Sequence, residues 1–140
     1  MEKVIFIFLS SVLFACQSQE EIKRQQYISE GFEVYKRNCS NCHQPEGQGL
    51  ASLYPPLANS DFLNEKNKTL IICGIQHGFQ QPLTVNGKTF HQPMPENSQL
   101  KVLDIAVLTT FIFNQYGNQK KITEVSEVEK ALARCTPVSR

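Results

Sequence analysis

The chain has 140 residues, with 14 Lys plus Arg against 13 Asp plus Glu, and a formal net charge of +1. A balance this even, with no basic run and no basic aromatic stripe, gives no footing for a nucleic-acid partner. The length suits one domain, and five cysteines make cysteine chemistry the first question.

Residues 1–15 read as an export signal. Val4 to Phe14 carries no charge, is too short to span a bilayer as a mature helix, and has the length of a signal-peptide apolar region. It ends in Leu13-Phe14-Ala15-Cys16, which resembles the lipobox of bacterial lipoproteins, with Phe14 bulkier than usual at its position. The resemblance implies cleavage after Ala15 and a lipid on Cys16. The alternative is an ordinary secretory signal beside a coincidental cysteine; both readings export the chain. Gln17 after the cysteine resembles the sorting pattern of outer-membrane rather than inner-membrane lipoproteins. Residues 16–27, with Glu20, Glu21, Lys23 and Arg24, read as a polar, solvated tether, which leaves 28–140 as the folded domain.

Ile28, Gly31, Phe32, Tyr35 and Cys39 fall at helical spacing, and Ser29 is a plausible cap. Gly31 in mid-helix lowers helix stability, so its place there suggests a close approach by a second helix. This helix delivers the chain into Cys39-Ser40-Asn41-Cys42-His43. A C-x-x-C-H run reads as a c-type haem attachment site. Each thiol can add across a haem vinyl group, and a histidine directly after them can reach the iron from the proximal side. A zinc ribbon needs a second ligand pair at short spacing, and a thioredoxin-like pair wants a βαβ context; neither is present.

Residues 44–58 are loop, with Pro45, Gly47, Gly49, Pro55 and Pro56. A backbone carbonyl held by Pro55-Pro56 can accept the Nδ1 hydrogen of His43 and fix its tautomer, and Leu57 can pack on the macrocycle. Asn59-Ser60-Asp61 opens a short turn through Leu63. A helix over 67–77 follows, with Leu70, Ile71 and Ile75 inward and Gly78 as its stop. Asn86-Gly87 between Leu83–Val85 and Lys88–Phe90 predicts a tight hairpin, a flap leading to Gln92-Pro93-Met94-Pro95. The longest helix is expected over 99–116, capped by Asn97 or Ser98, with Leu100, Asp104, Ile105, Leu108, Phe111 and Ile112 along its buried stripe. A last helix is expected over 124–134, capped by Thr123, with Val125, Val128, Leu132 and Cys135 on one face; it forms a C-terminal extension, 118–140.

With Cys39 and Cys42 assigned to haem and Cys16 to lipid, Cys73 and Cys135 remain. In an oxidising compartment an even remainder favours a disulfide; two buried free thiols are the alternative. A low-spin haem needs a sixth ligand, and the candidates are Met94, His77 and His91. Met94 is favoured: it is the only methionine left after the signal is removed, and it lies between prolines that stiffen its loop.

These residues together resemble a class I, mono-haem cytochrome c. The resemblance covers most of 28–117 and rests on Gly31, Tyr35, Cys39 to His43, Pro55-x-Leu57, Met94-Pro95 and the apolar final helix. Tyr54-Pro55-Pro56-Leu57-Ala58-Asn59-Ser60-Asp61 with Val85-Asn86-Gly87 is similar, more narrowly, to small cytochrome domains of bacterial respiratory oxidases and copper nitrite reductases. It implies an all-α fold around one covalent haem c, with a small hairpin flap, His43 and Met94 as axial ligands, and one-electron transfer. The expected role is that of a carrier and not an enzyme. It would be tethered on the periplasmic side of a bacterial membrane, taking electrons from a quinol-oxidising complex and passing them to a terminal oxidase or reductase. The alternative is a haem protein with a labile sixth site, acting as a peroxidase or small-ligand sensor.

Overall fold

The computed structural model describes residues 18–135; the export signal at 1–15 and Cys16 lie outside the described residues. Two long helices carry the architecture. The first, α1 (Gln19–Asn38), starts on Ser18, whose Oγ accepts the Glu21 N–H, with Glu20 and Glu21 at its positive end. Residues 19–27 are therefore helix, which corrects the solvated tether expected there. The physical reason lies in where the charges go. Arg24 forks onto both oxygens of Glu21 (2.7 and 2.9 Å) and donates to Asn114 Oδ1 (2.7 Å), and Lys23 pairs with Glu124 at 2.8 Å. Tyr27 and Ile28 pack against the core.

A short turn of helix, α2 (Ser40–His43), follows directly. After a loop and one 3₁₀ turn (Glu65–Asn67) comes α3 (Lys68–His77), closed by Gly78 at φ 76°. Its inward residues are Ile71, Ile72 and Ile75, while Leu70 is 47% exposed; the buried face is therefore shifted from the expected one, because two later helices pack on it as well as the loop side. The hairpin forms as expected: β1 (Leu83–Val85) pairs antiparallel with β2 (Lys88–Phe90), Leu83 opposite Phe90, across Asn86 (φ 51°) and Gly87 (φ 73°).

The helix expected over 99–116 is α4 (Val102–Gln115), shorter than α1 and capped at Lys101, whose N–H donates to Asp104 Oδ2 at 2.8 Å. Asp104 is thus a capping residue, not part of a stripe. From Ile105 to Phe113 every residue is buried, since α1, α3 and α5 surround it; a helix enclosed on all sides shows no amphipathic period. The last helix, α5 (Val125–Leu132), buries Val128 and Ala131. Thr123 does not cap it: its backbone N–H donates to the buried Thr110 Oγ1 (2.9 Å), and Glu124 takes the cap position. Two ties fix α5 to α3: Lys68 pairs with Glu127 at 2.8 Å, and Cys73 is joined to Cys135 by a disulfide with Cα atoms 5.7 Å apart. Among the described residues no helix is long and apolar enough to cross a membrane.

Candidate functional site

Three segments enclose a cleft that opens to solvent at its mouth. The end of α1 and α2 contribute Cys39, Cys42 and His43; the 54–63 loop contributes Pro55, Leu57 and Phe62; the hairpin and its following loop contribute Val85, Phe90 and Met94. Ile71 and Ile75 of α3 and Ile112 of α4 close the inner wall. Among the described residues no Lys, Arg, Asp or Glu lines the cleft, and beyond the C-x-x-C-H run its polar lining is Tyr54, Ser60, Gln81 and Gln92.

Each motif side chain is held by a specific device. Residue 39 closes α1, its N–H donating to Tyr35 O (2.8 Å), and the His43 N–H donates back to Cys39 O (2.9 Å). Both thiols are therefore on one turn. Burial pushes the Cys39 thiol up to about 12. The Nδ1 of His43 lies 2.9 Å from the Pro55 carbonyl oxygen. A carbonyl only accepts, so Nδ1 carries the hydrogen and Nε2 is left with its lone pair free for a metal. Burial lowers the His43 pKa, which keeps the ring neutral as a ligand must be. The loop after His43 is pinned from behind: Tyr35 Oη donates to Gln44 O (2.6 Å) and Tyr116 Oη to Pro45 O (3.1 Å). Gly47 and Gly49, both at φ 71°, sit against the Tyr116 ring and the Tyr54–Pro56 backbone, where a side chain would collide.

Met94 is fixed by its backbone. It exchanges both hydrogen bonds with Phe79 (3.0 and 2.9 Å), just past the end of α3, and Gly78 lies against the Met94 carbonyl. Asn97 adds a bond from Nδ2 to Ile75 O (3.1 Å). Phe79, Gly78 and Asn97 went unread as site residues in the sequence; the only local signal was an aromatic residue directly after a helix-ending glycine. His77 and His91 are both exposed and neither lines the cleft.

The residues fit a covalent haem. Two thiols on one turn, a neutral imidazole with Nε2 free and a thioether on a pinned loop are the donor set such a group requires, and the lining around them is largely apolar. A family model described as cytochrome c matches residues 28–115. The chain is 31% identical over 97 residues to cytochrome c-552 of Thermus thermophilus, covering 67% of this chain and 73% of that protein. It is 32% identical over 111 residues to the cytochrome c subunit of the quinone alcohol dehydrogenase of Gluconacetobacter polyoxogenes, covering 78% of this chain and 24% of that subunit.

Proposed function

From the premise that the chain belongs to the cytochrome c family, which carries covalent haem c and transfers electrons, we propose that it is a membrane-tethered one-electron carrier whose iron is held by His43 and Met94. The observation that carries the reading is the cleft itself, where, among the described residues, Met94 is the one thioether or imidazole outside the C-x-x-C-H run that lines it, and it is fixed by its own backbone.

When bound, the haem supplies an iron that cycles between Fe(III) and Fe(II). The protein's part is to keep that cycle cheap in structural change. Pro55 orients His43, Phe79 fixes Met94, and the apolar wall of Leu57, Ile71, Ile75 and Phe90 excludes water. A thioether ligand and a dry, uncharged lining both favour Fe(II), so the potential is raised. His77 and His91, the acid–base candidates of the peroxidase or sensor reading, stand outside the cleft, which favours the carrier reading over that one.

A lipid on Cys16 would anchor the domain closely, since only Gln17 separates that cysteine from Ser18, the cap of α1. The 20 residues of α1 then rise about 30 Å from the anchored end to the haem motif. That geometry suits hand-over between membrane partners on the periplasmic side. Quinol-oxidising donors and terminal oxidases or reductases as acceptors fit this chemistry, and likeness to the cytochrome c subunit of a quinone alcohol dehydrogenase supports a redox-protein partnership in general. Potentiometric titration of the purified holoprotein, with fractionation of Cys16→Ser, tests the proposal. A single one-electron transition and release of the variant from membranes are expected; a multi-electron wave or a variant retained in the membrane contradicts it.

A further inference from the structure

Two segments 25 residues apart in the chain grip each other beside the cleft. The Asp61 N–H donates to Asn86 Oδ1 at 2.9 Å, and the Asn86 N–H donates to Asp61 Oδ1 at 2.7 Å. Asn86 Nδ2 donates further to Asn59 O at 3.0 Å. Lys88 Nζ, on the adjacent strand, donates to Ala51 O at 3.1 Å. The hairpin is thereby fastened at its tip to the 51–61 segment.

The two segments serve opposite halves of the ligand set. The 51–61 segment contains Pro55, the acceptor for His43. The hairpin puts Val85 and Phe90 on the cleft wall and runs within a few residues into Met94. A turn alone needs none of these side-chain bonds: Asn86 at φ 51° satisfies the hairpin geometry by its backbone, and glycine would do so equally.

We propose that Asp61 and Asn86 are positioning residues for electron transfer. Their reciprocal pair holds the hairpin shut against the loop that orients His43, and that closure keeps the cleft dry. With the clasp open, water reaches the cleft and favours the more highly charged Fe(III) state, so the reduction potential falls. The effect on potential rests on the His43/Met94 reading above; the closure itself does not.

The test uses the full-length holoprotein with Asn86→Gly, Asp61→Ala and Asp61→Asn, reading amide hydrogen exchange over residues 83–90 and the midpoint potential. Each bond contributes a factor of about 2–10 to a closing equilibrium. Asn86→Gly keeps the positive φ but loses both side-chain bonds, and exchange should quicken by about tenfold or more with a fall in potential. Asp61→Ala loses the one carboxylate acceptor and should show the same signs, more weakly. Asp61→Asn keeps a side-chain acceptor and should stay within about twofold of native. Native exchange rates in Asn86→Gly overturn the proposal, and so does faster exchange with an unchanged potential. A native spectrum in Met94→Ala, measured alongside, refutes the ligand reading separately and leaves the exchange contrast to decide on the clasp.

Discussion

Gly31 on α1 lies directly against the carbonyl of Val107 on α4, with no room for a Cβ: one built there would overlap the Val107 oxygen and come within 2.6 Å of Phe111 Cβ. This contact sets how closely α1 and α4 approach. Gly31→Ala would gain about 1 kcal/mol of helix propensity in an isolated helix. In this protein it should instead destabilise by about 1–3 kcal/mol, because the helices must separate and the rings of Phe111, Tyr35 and Phe32 repack. A lowered urea midpoint measures it, and Gly31→Val should be worse.

Lys68 is 7% exposed, with its ammonium 2.8 Å from Glu127 and 5.5 Å from the centre of the Phe113 ring. Glu127→Ala leaves that buried cation without its hydrogen-bonded counter-charge and should cost about 1.5–3 kcal/mol. Lys68→Met, which removes the charge and keeps the packing, should cost less than Glu127→Ala. Chemical denaturation followed by far-UV circular dichroism ranks the two; the reverse order refutes the role given to Lys68.

The disulfide between Cys73 and Cys135 closes a loop with a sequence separation of 62. In the chain-entropy model such a loop contributes about 4 kcal/mol. Cys135→Ser should lower stability by an amount of that order while leaving the visible spectrum as it was, since neither sulfur lines the cleft. Mass spectrometry after alkylation without reduction checks the bond itself: two modified thiols on these residues contradict it.

What could be read from the sequence was local. Cys39, Cys42 and His43 are adjacent, and Asn86-Gly87 specifies its own hairpin, so both were legible without any partner. Pro55 was legible as a carbonyl for His43, because stiff prolines a dozen residues on leave the loop few ways to return. Long-range pairings were not. Arg24 and Lys23 look like linker charges until Asn114 and Glu124 are brought beside them. The burial of α4 on every side erases the period that marks a helix face. Phe79 and Met94, and likewise Asp61 and Asn86, meet only once the fold is complete.

Tyr35 is fully buried, and its hydroxyl donates to Gln44 O at 2.6 Å. Burial raises its pKa above the ordinary tyrosine value. Below about pH 10 the hydroxyl is neutral in both folded and unfolded chains. Above it the unfolded chain releases the proton first and binds fewer protons than the folded one, so stability falls as pH rises. Tyr35→Phe should cost about 1 kcal/mol near neutrality and show a shallower decline in alkali. Urea midpoints on both sides of pH 10 measure this, and parallel declines would contradict it.

The central claim is that Met94 completes the ligand set begun by His43. The most direct measurement is the visible spectrum of the oxidised holoprotein beside that of Met94→Ala and His91→Ala. A low-spin spectrum with a weak band near its red end is expected in the native protein and in His91→Ala. Met94→Ala should lose that band, become high-spin or water-ligated, and bind carbon monoxide readily once reduced. A native protein without the band, with His91→Ala opening the site while Met94→Ala leaves it low-spin, would contradict the assignment and put a bis-histidine haem in its place.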